Sequence, residues 1–139
     1  MTTNGTDERR QQLVESLRDR EYRDAFVASH IAKGTAFKIR AMRKARGWTQ
    51  TDLSRLSGLK PETISRLEHA TQDGNFSIRT LKRLAAAFDV VPVVDFIPYS
   101  EFVDRMLALS AAQMAVPCFE DDLGEVVKKV SIVGADGET

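Results

Sequence analysis

The 139-residue chain has a single cysteine, Cys118, only two histidines, and no excess of charge of either sign, with 20 basic and 20 acidic side chains. One thiol excludes an internal disulfide, a zinc site built on several cysteines and a two-cysteine redox pair within the chain, and fits a reducing cytoplasm. No stretch approaches the roughly 18 apolar residues of a membrane-spanning helix, and the start, Met1 to Arg10, is polar with no apolar run behind it. A cytoplasmic protein without membrane contact is expected. His30 and His69 lie far apart with no partner at ligand spacing, and Glu120, Asp121, Asp122 and Glu125 read as a solvated acidic tail, so no metal is expected. Cys118 has no base beside it and no Gly-rich loop is present to cradle a phosphate, which argues against an enzyme and against a cofactor.

What is present is an uneven distribution of charge. Residues 33 to 66 hold nine basic side chains (Lys33, Lys38, Arg40, Arg43, Lys44, Arg46, Arg55, Lys60, Arg66) against Asp52 and Glu62, a surplus of seven. Residues 89 to 139 hold ten acids and three bases, the opposite surplus. A basic block inside a neutral chain is the footprint of a polyanion partner, because neutralising phosphates releases counterions. Charge alone leaves a solvated helix face as the competing reading.

Apolar periodicity predicts helices almost throughout. Leu13, Val14 and Leu17 recur at helical spacing, and Asp19 is a candidate N-cap for a second helix bearing Tyr22, Ala25 and Phe26. Ala36, Ile39 and Met42 mark a helix from Thr35 to Arg46, ended by Gly47. Thr49 and Asp52 form a capping-box variant opening a helix to about Leu56, Ser57-Gly58-Leu59 makes a turn, and Pro61 opens a helix ending near His69. Residues 71 to 75 have loop chemistry, and Ser77 caps a helix with Ile78, Leu81, Leu84, Ala85 and Phe88 facing inward. Val90 to Ile97 predicts a strand confined to a sheet edge by Pro92, pairing either with its twin in a homodimer or with Val126 to Val133. Ser100 then caps a helix carrying Phe102, Val103, Met106, Leu107 and Met114, wide enough to be buried on two sides.

The expected organisation is an N-terminal helical extension (residues 1–33), a central helical domain (34–89), a strand and helix for dimerisation (90–116) and an acidic tail (117–139). Within the central domain, Thr49 to Glu68 meets the steric demands of a helix-turn-helix. Ser54 is small where the two helices touch, Gly58 permits the left-handed turn, and Leu53, Ile64 and Leu67 fill the shared interior. The outer face of the second helix offers Lys60, Glu62, Thr63, Ser65 and Arg66, groups complementary to base edges and phosphates.

Residues 35 to 88 resemble the lambda-repressor-like XRE family of helix-turn-helix regulators. The resemblance rests on the run Ile39 to Gln50 followed by Leu53-Ser54, Gly58 and Thr63 to Glu68 at unbroken spacing. The runs Glu21 to Phe26, Gly74 to Phe76, Arg83 to Asp89 and Phe96 to Pro98 look like the HigA-type antitoxin subgroup. The resemblance implies a mainly α fold with the helix-turn-helix bundle at its centre, and a DNA-binding transcriptional repressor acting as a homodimer on an inverted repeat of double-stranded DNA. The alternative it implies is an antitoxin that binds a small toxin and autoregulates its operon. By position, Gln50 would contact a phosphate and Pro61, Glu62, Thr63 and Arg66 would face bases, with Ser65 and the phosphate-seeking charge of Lys60 on the same DNA-binding surface. Lys60 departs from the serine or threonine cap of many relatives. Arg43 and Glu68 would form an internal ion pair. Dimerisation is expected through Val91, Val93, Val94, Phe96 and Ile97.

Overall fold

A computed structural model of the chain describes residues 3–69, 77–108 and 115–136, and every regular element within them is a helix. The helices are α1 (Thr3–Ser16), α2 (Arg20–Ala45), α3 (Gln50–Ser57), α4 (Pro61–Glu68), α5 (Ile78–Phe88), α6 (Tyr99–Ala108) and α7 (Phe119–Asp136).

Asp19 caps α2, its carboxylate accepting from the Glu21 amide at 3.1 Å, as its placement in the sequence predicts. The helix then continues for 26 residues, so the extension and the first core helix expected separately are one element. Gly34 does not interrupt it. A single glycine inside a helix costs about 1 kcal/mol relative to alanine, far too little to break one held by buried Ala32, Ala36, Ile39 and Met42. The end comes at Gly47, whose φ of 69° lets Trp48 N–H reach back to the Arg43 carbonyl at 3.0 Å while Gly47 N–H reaches Lys44 at 3.0 Å. That pair of bonds satisfies carbonyls the helix would otherwise leave open.

Two apolar layers follow. The main core joins Ile39 and Met42 of α2, Leu53 of α3, Ile64 and Leu67 of α4, and Leu84 and Phe88 of α5, with Trp48, Leu59, Val90 and Val116 packed against it. Burying each large side chain of this kind contributes roughly 1.5–3 kcal/mol. Trp48 stacks on Phe88 with ring centroids 5.6 Å apart. The second layer lies between α1, the first half of α2 and α6, where Leu17, Ala32 and Val103 are buried. The Phe102 ring meets Phe26, His30 and Tyr99 edge-on at 6.2, 5.1 and 6.0 Å. Arg10 pairs with Asp104 at 2.7 Å across this layer, and Arg23 lies over the Tyr99 ring while donating to the Leu17 carbonyl at 2.9 Å.

Several expectations are corrected. Residues 90–98 form neither strand nor helix, and Val91, Val93, Val94 and Phe96 are exposed, with Ile97 half-buried. A strand exists only through its ladder, and among the described residues nothing pairs with this segment, whose Pro92 also lacks a donor. The rival partner, Val126 to Val133, lies within α7, where Phe119, Leu123 and Val126 recur at helical rather than alternating spacing. Ser100 is not the cap of α6, since the helix begins at Tyr99 and Phe102 N–H donates to the Pro98 carbonyl at 3.1 Å. Ile78, predicted inside, is 63% exposed: it is the first residue of α5, whose buried residues Leu84, Ala85 and Phe88 all lie in the second half of the helix. The loop expected at 71–75 and the apolar position Met114 lie outside the described residues.

Candidate nucleic-acid interface

The frame of the site is set by its caps. Thr49 Oγ accepts from the Asp52 amide at 3.1 Å, and the Asp52 carboxylate accepts from the Thr49 amide at 2.8 Å, so the capping box is complete in both directions. The hydrogen bonds from Thr49, helped by Arg55, hold the Asp52 carboxyl below its ordinary pKa. At the far end of α3, Gly58 takes φ 73° and donates its N–H to the Ser54 carbonyl at 3.0 Å. Two serines then pin the turn: Ser54 Oγ donates to the Leu59 carbonyl at 2.5 Å, and Leu59 N–H donates to Ser57 Oγ at 3.2 Å. The sequence shows Ser54 only as a small residue and gives no sign of this bracing, since any serine at a helix end is equally compatible with solvent.

On this frame α4 presents two faces. Ile64, Leu67 and Glu68 point inward, and Lys60, Pro61, Glu62 and Arg66 are exposed, with Thr63 and Ser65 half-buried at the boundary. Pro61 occupies the first helical position, and Lys60 at the N-cap makes no side-chain cap, so the α4 N-terminus lacks the hydroxyl acceptor that Thr49 supplies to α3. Gln50, the first residue of α3, is half-buried. Lys60, Glu62 and Arg66 have no ion pair among the described residues.

Arg43 and Glu68 are joined as the resemblance implies: the shortest bond between them is 2.8 Å, and Glu68 is 3% exposed. Arg46, a member of the basic block, has a role the sequence does not disclose. Its guanidinium donates to the Phe88 carbonyl at 2.8 Å, the Met42 carbonyl at 3.1 Å and the Val116 carbonyl at 3.3 Å, and stands 5.1 Å from the Phe88 ring and 5.7 Å from Trp48. It thus closes the C-terminal end of α5. Arg43 and Arg46 are spent on the interior and Arg40 is half-buried, leaving Lys33, Lys38, Lys44, Arg55, Lys60 and Arg66 exposed. Arg55 lies 3.5 Å from Asp52 and Arg40 covers the Phe37 ring.

Among the described residues no three His, Cys, Asp or Glu side chains converge on a point that could hold a metal ion, and no helix is long and apolar enough to cross a membrane. Cys118 is half-buried, its carbonyl accepting the Asp122 amide at the start of α7.

Two short helices crossing at a left-handed glycine, with a polar outer face on the second, define a helix-turn-helix. Residues 39–96 match a family model described as helix-turn-helix. The match runs from the second half of α2 into the exposed segment after α5. Neither the curated proteins nor the solved structures gave a match to the chain.

Proposed function

We propose that the protein is a sequence-specific transcriptional regulator, a repressor that lays α4 in the major groove and binds an inverted repeat as a homodimer. The observation that carries this reading is the division of α4, whose inner residues and Glu68 are locked into the core while Lys60, Glu62 and Arg66 stand free on a rigid mount. In this role Gln50 and Lys60 hold phosphates and fix register, Pro61, Glu62, Thr63 and Ser65 lie against base edges, and Arg66 reads a guanine through two parallel hydrogen bonds. Exposed Val91, Val93, Val94 and Phe96, with Ile97 beside them, supply apolar surface for a second copy. Two such copies engage half-sites about one helical turn, roughly 34 Å, apart. Mobility shifts against the DNA upstream of the protein's own gene, titrated with salt, test it. A preferred sequence whose preference disappears in Arg66→Ala supports the reading, and equal affinity for every duplex at every salt concentration defeats it.

The second reading, an antitoxin that autoregulates its operon, draws on the groove between α1, the start of α2 and α6, which Val14, Leu17, Tyr99 and Val103 line with apolar surface and Arg10, Arg18 and Arg23 rim with charge. A small toxin would occupy that groove. An adjacent gene whose expression is lethal without this protein, and tolerated with it, decides in favour of this reading.

A further inference from the structure

The exposed side of α5 is as orderly as the face of α4 and has no role in the reading above. Arg79, Lys82, Arg83 and Ala86 lie on it at helical spacing, and with Ile78 they line a shallow groove with an apolar floor. None of the three bases has an ion pair among the described residues. Ten residues on, about 15 Å along the helix axis, the same strip turns acidic. Asp89 closes α5 in a left-handed conformation, and its carbonyl accepts the Phe119 amide at 3.1 Å, which starts α7 at this point. The first turns of α7 then carry exposed Glu120, Asp121 and Glu125. Arg46 meets the approach to α7 through its bond to the Val116 carbonyl at 3.3 Å.

A strip that is basic at one end and acidic at the other is complementary to itself when turned end for end. We propose that a second copy of this chain docks here antiparallel, about a two-fold axis passing near Ala86. Arg79, Lys82 and Arg83 of each copy then face Asp89, Glu120, Asp121 and Glu125 of the other. This arrangement makes every contact twice, as an isologous interface requires. A stable interface buries about 800 Å² on each partner, more than one helical stripe provides. The remainder adjoins it, since Val91, Val93, Val94 and Phe96 follow α5 directly and are exposed. The inference rests on the homodimeric reading above and names the surface that sets the geometry of the pair.

Sedimentation velocity of the full chain without DNA tests it, at about 0.05 M and about 0.5 M salt, where the screening length differs severalfold. The expected result is a dimer weakened at least tenfold at the higher salt, and equally by the triple variant R79E/K82E/R83E at the lower. Combining that variant with E120K/D121K/E125K, which exchanges the two ends, restores association while either triple alone remains monomeric. Circular dichroism establishes that each variant keeps its helices. A dimer indifferent to salt and to both triples, yet broken by Phe96→Asp, overturns the antiparallel strip and leaves the dimeric regulator standing. Loss of DNA affinity in R79E/K82E/R83E with unchanged sedimentation overturns it too, making the α5 face a phosphate contact. A monomer at every concentration overturns the strip and the homodimer together, while the mobility shift still reports separately on DNA recognition.

Discussion

Arg43 holds Glu68 as a fork holds a bar: its Nε donates to both carboxylate oxygens at 2.9 and 3.1 Å, its Nη2 donates to one at 2.8 Å, and its remaining arm, Nη1, reaches the Trp48 carbonyl at 2.8 Å. One side chain thereby ties the end of α4 to the second half of α2 and to the connection leading into α3. Removing either partner leaves a charge in a place that water barely reaches. Arg43→Ala and Glu68→Ala are each expected to lower stability by about 3–5 kcal/mol. Urea unfolding checks this, and the double variant should lose clearly less than the sum of the two. Additive losses would mean that the pair is not coupled.

Recognition and anchoring are expected to separate at α4. Arg66→Ala should lower discrimination between the preferred duplex and a scrambled one by about 1–3 kcal/mol. Lys60→Ala should weaken binding to all sequences alike and reduce the slope of log affinity against log salt by about one. Fluorescence anisotropy at several salt concentrations distinguishes the two.

Lys60 also offers a trade between stability and affinity. Because it occupies the N-cap of α4 without capping it, Lys60→Ser should add an acceptor for the first amides of the helix and raise stability by about 1 kcal/mol. The same change removes a cation from the face proposed to meet DNA. A rise in melting temperature together with weaker DNA binding is the expected pair of outcomes, and a fall in both would show that the lysine stem packs more than it exposes.

His30 sets an acid limit on the layer of α1 and α6. Burial against Phe102, and then the charge of Lys38, lower its pKa from the ordinary 6.5. The folded protein therefore binds this proton less readily than the unfolded chain does. The stabilisation is full above pH 6.5 and is lost as the pH falls from there toward the lowered folded value. Amide exchange in α6 should accelerate over that interval, and His30→Gln should flatten the dependence. Asp52 acts in the same direction but in a more acidic window, because its pKa is lowered from 3.8 and its cap fails only as the carboxylate is protonated.

The parts of the fold legible in the sequence are those where local chemistry and tertiary packing agree. Thr49 with Asp52, Gly47, Gly58, Pro61 and Ser77 each mark a helix end by their own backbone or side-chain requirements, and Leu53, Ile64, Leu67, Leu84 and Phe88 mark its interior. What failed was decided non-locally. A valine-rich run between prolines has strand propensity, yet residues 90–98 have no neighbouring chain segment to pair with among the described residues. Gly34 and Thr35 resemble a helix junction but are overruled by the apolar stripe that continues on either side. The surplus available to phosphates is smaller than composition implies, because nothing in composition distinguishes an arginine such as Arg46, bonded to three carbonyls, from one in solvent. At the candidate site, the inward and outward members of α4 follow from their spacing, whereas the serine bracing of the turn depends on side-chain geometry that spacing does not encode.

The unbroken course of α2 has a practical side. A fragment cut at residue 34, where composition invites a boundary, would begin in mid-helix with no Asp19 to receive its first amides. Its new end would fray toward Ala36 and Ile39, side chains on which the reading head rests. The segment ahead of the domain is thus its foundation, and a shortened version made for binding studies should start ahead of Asp19.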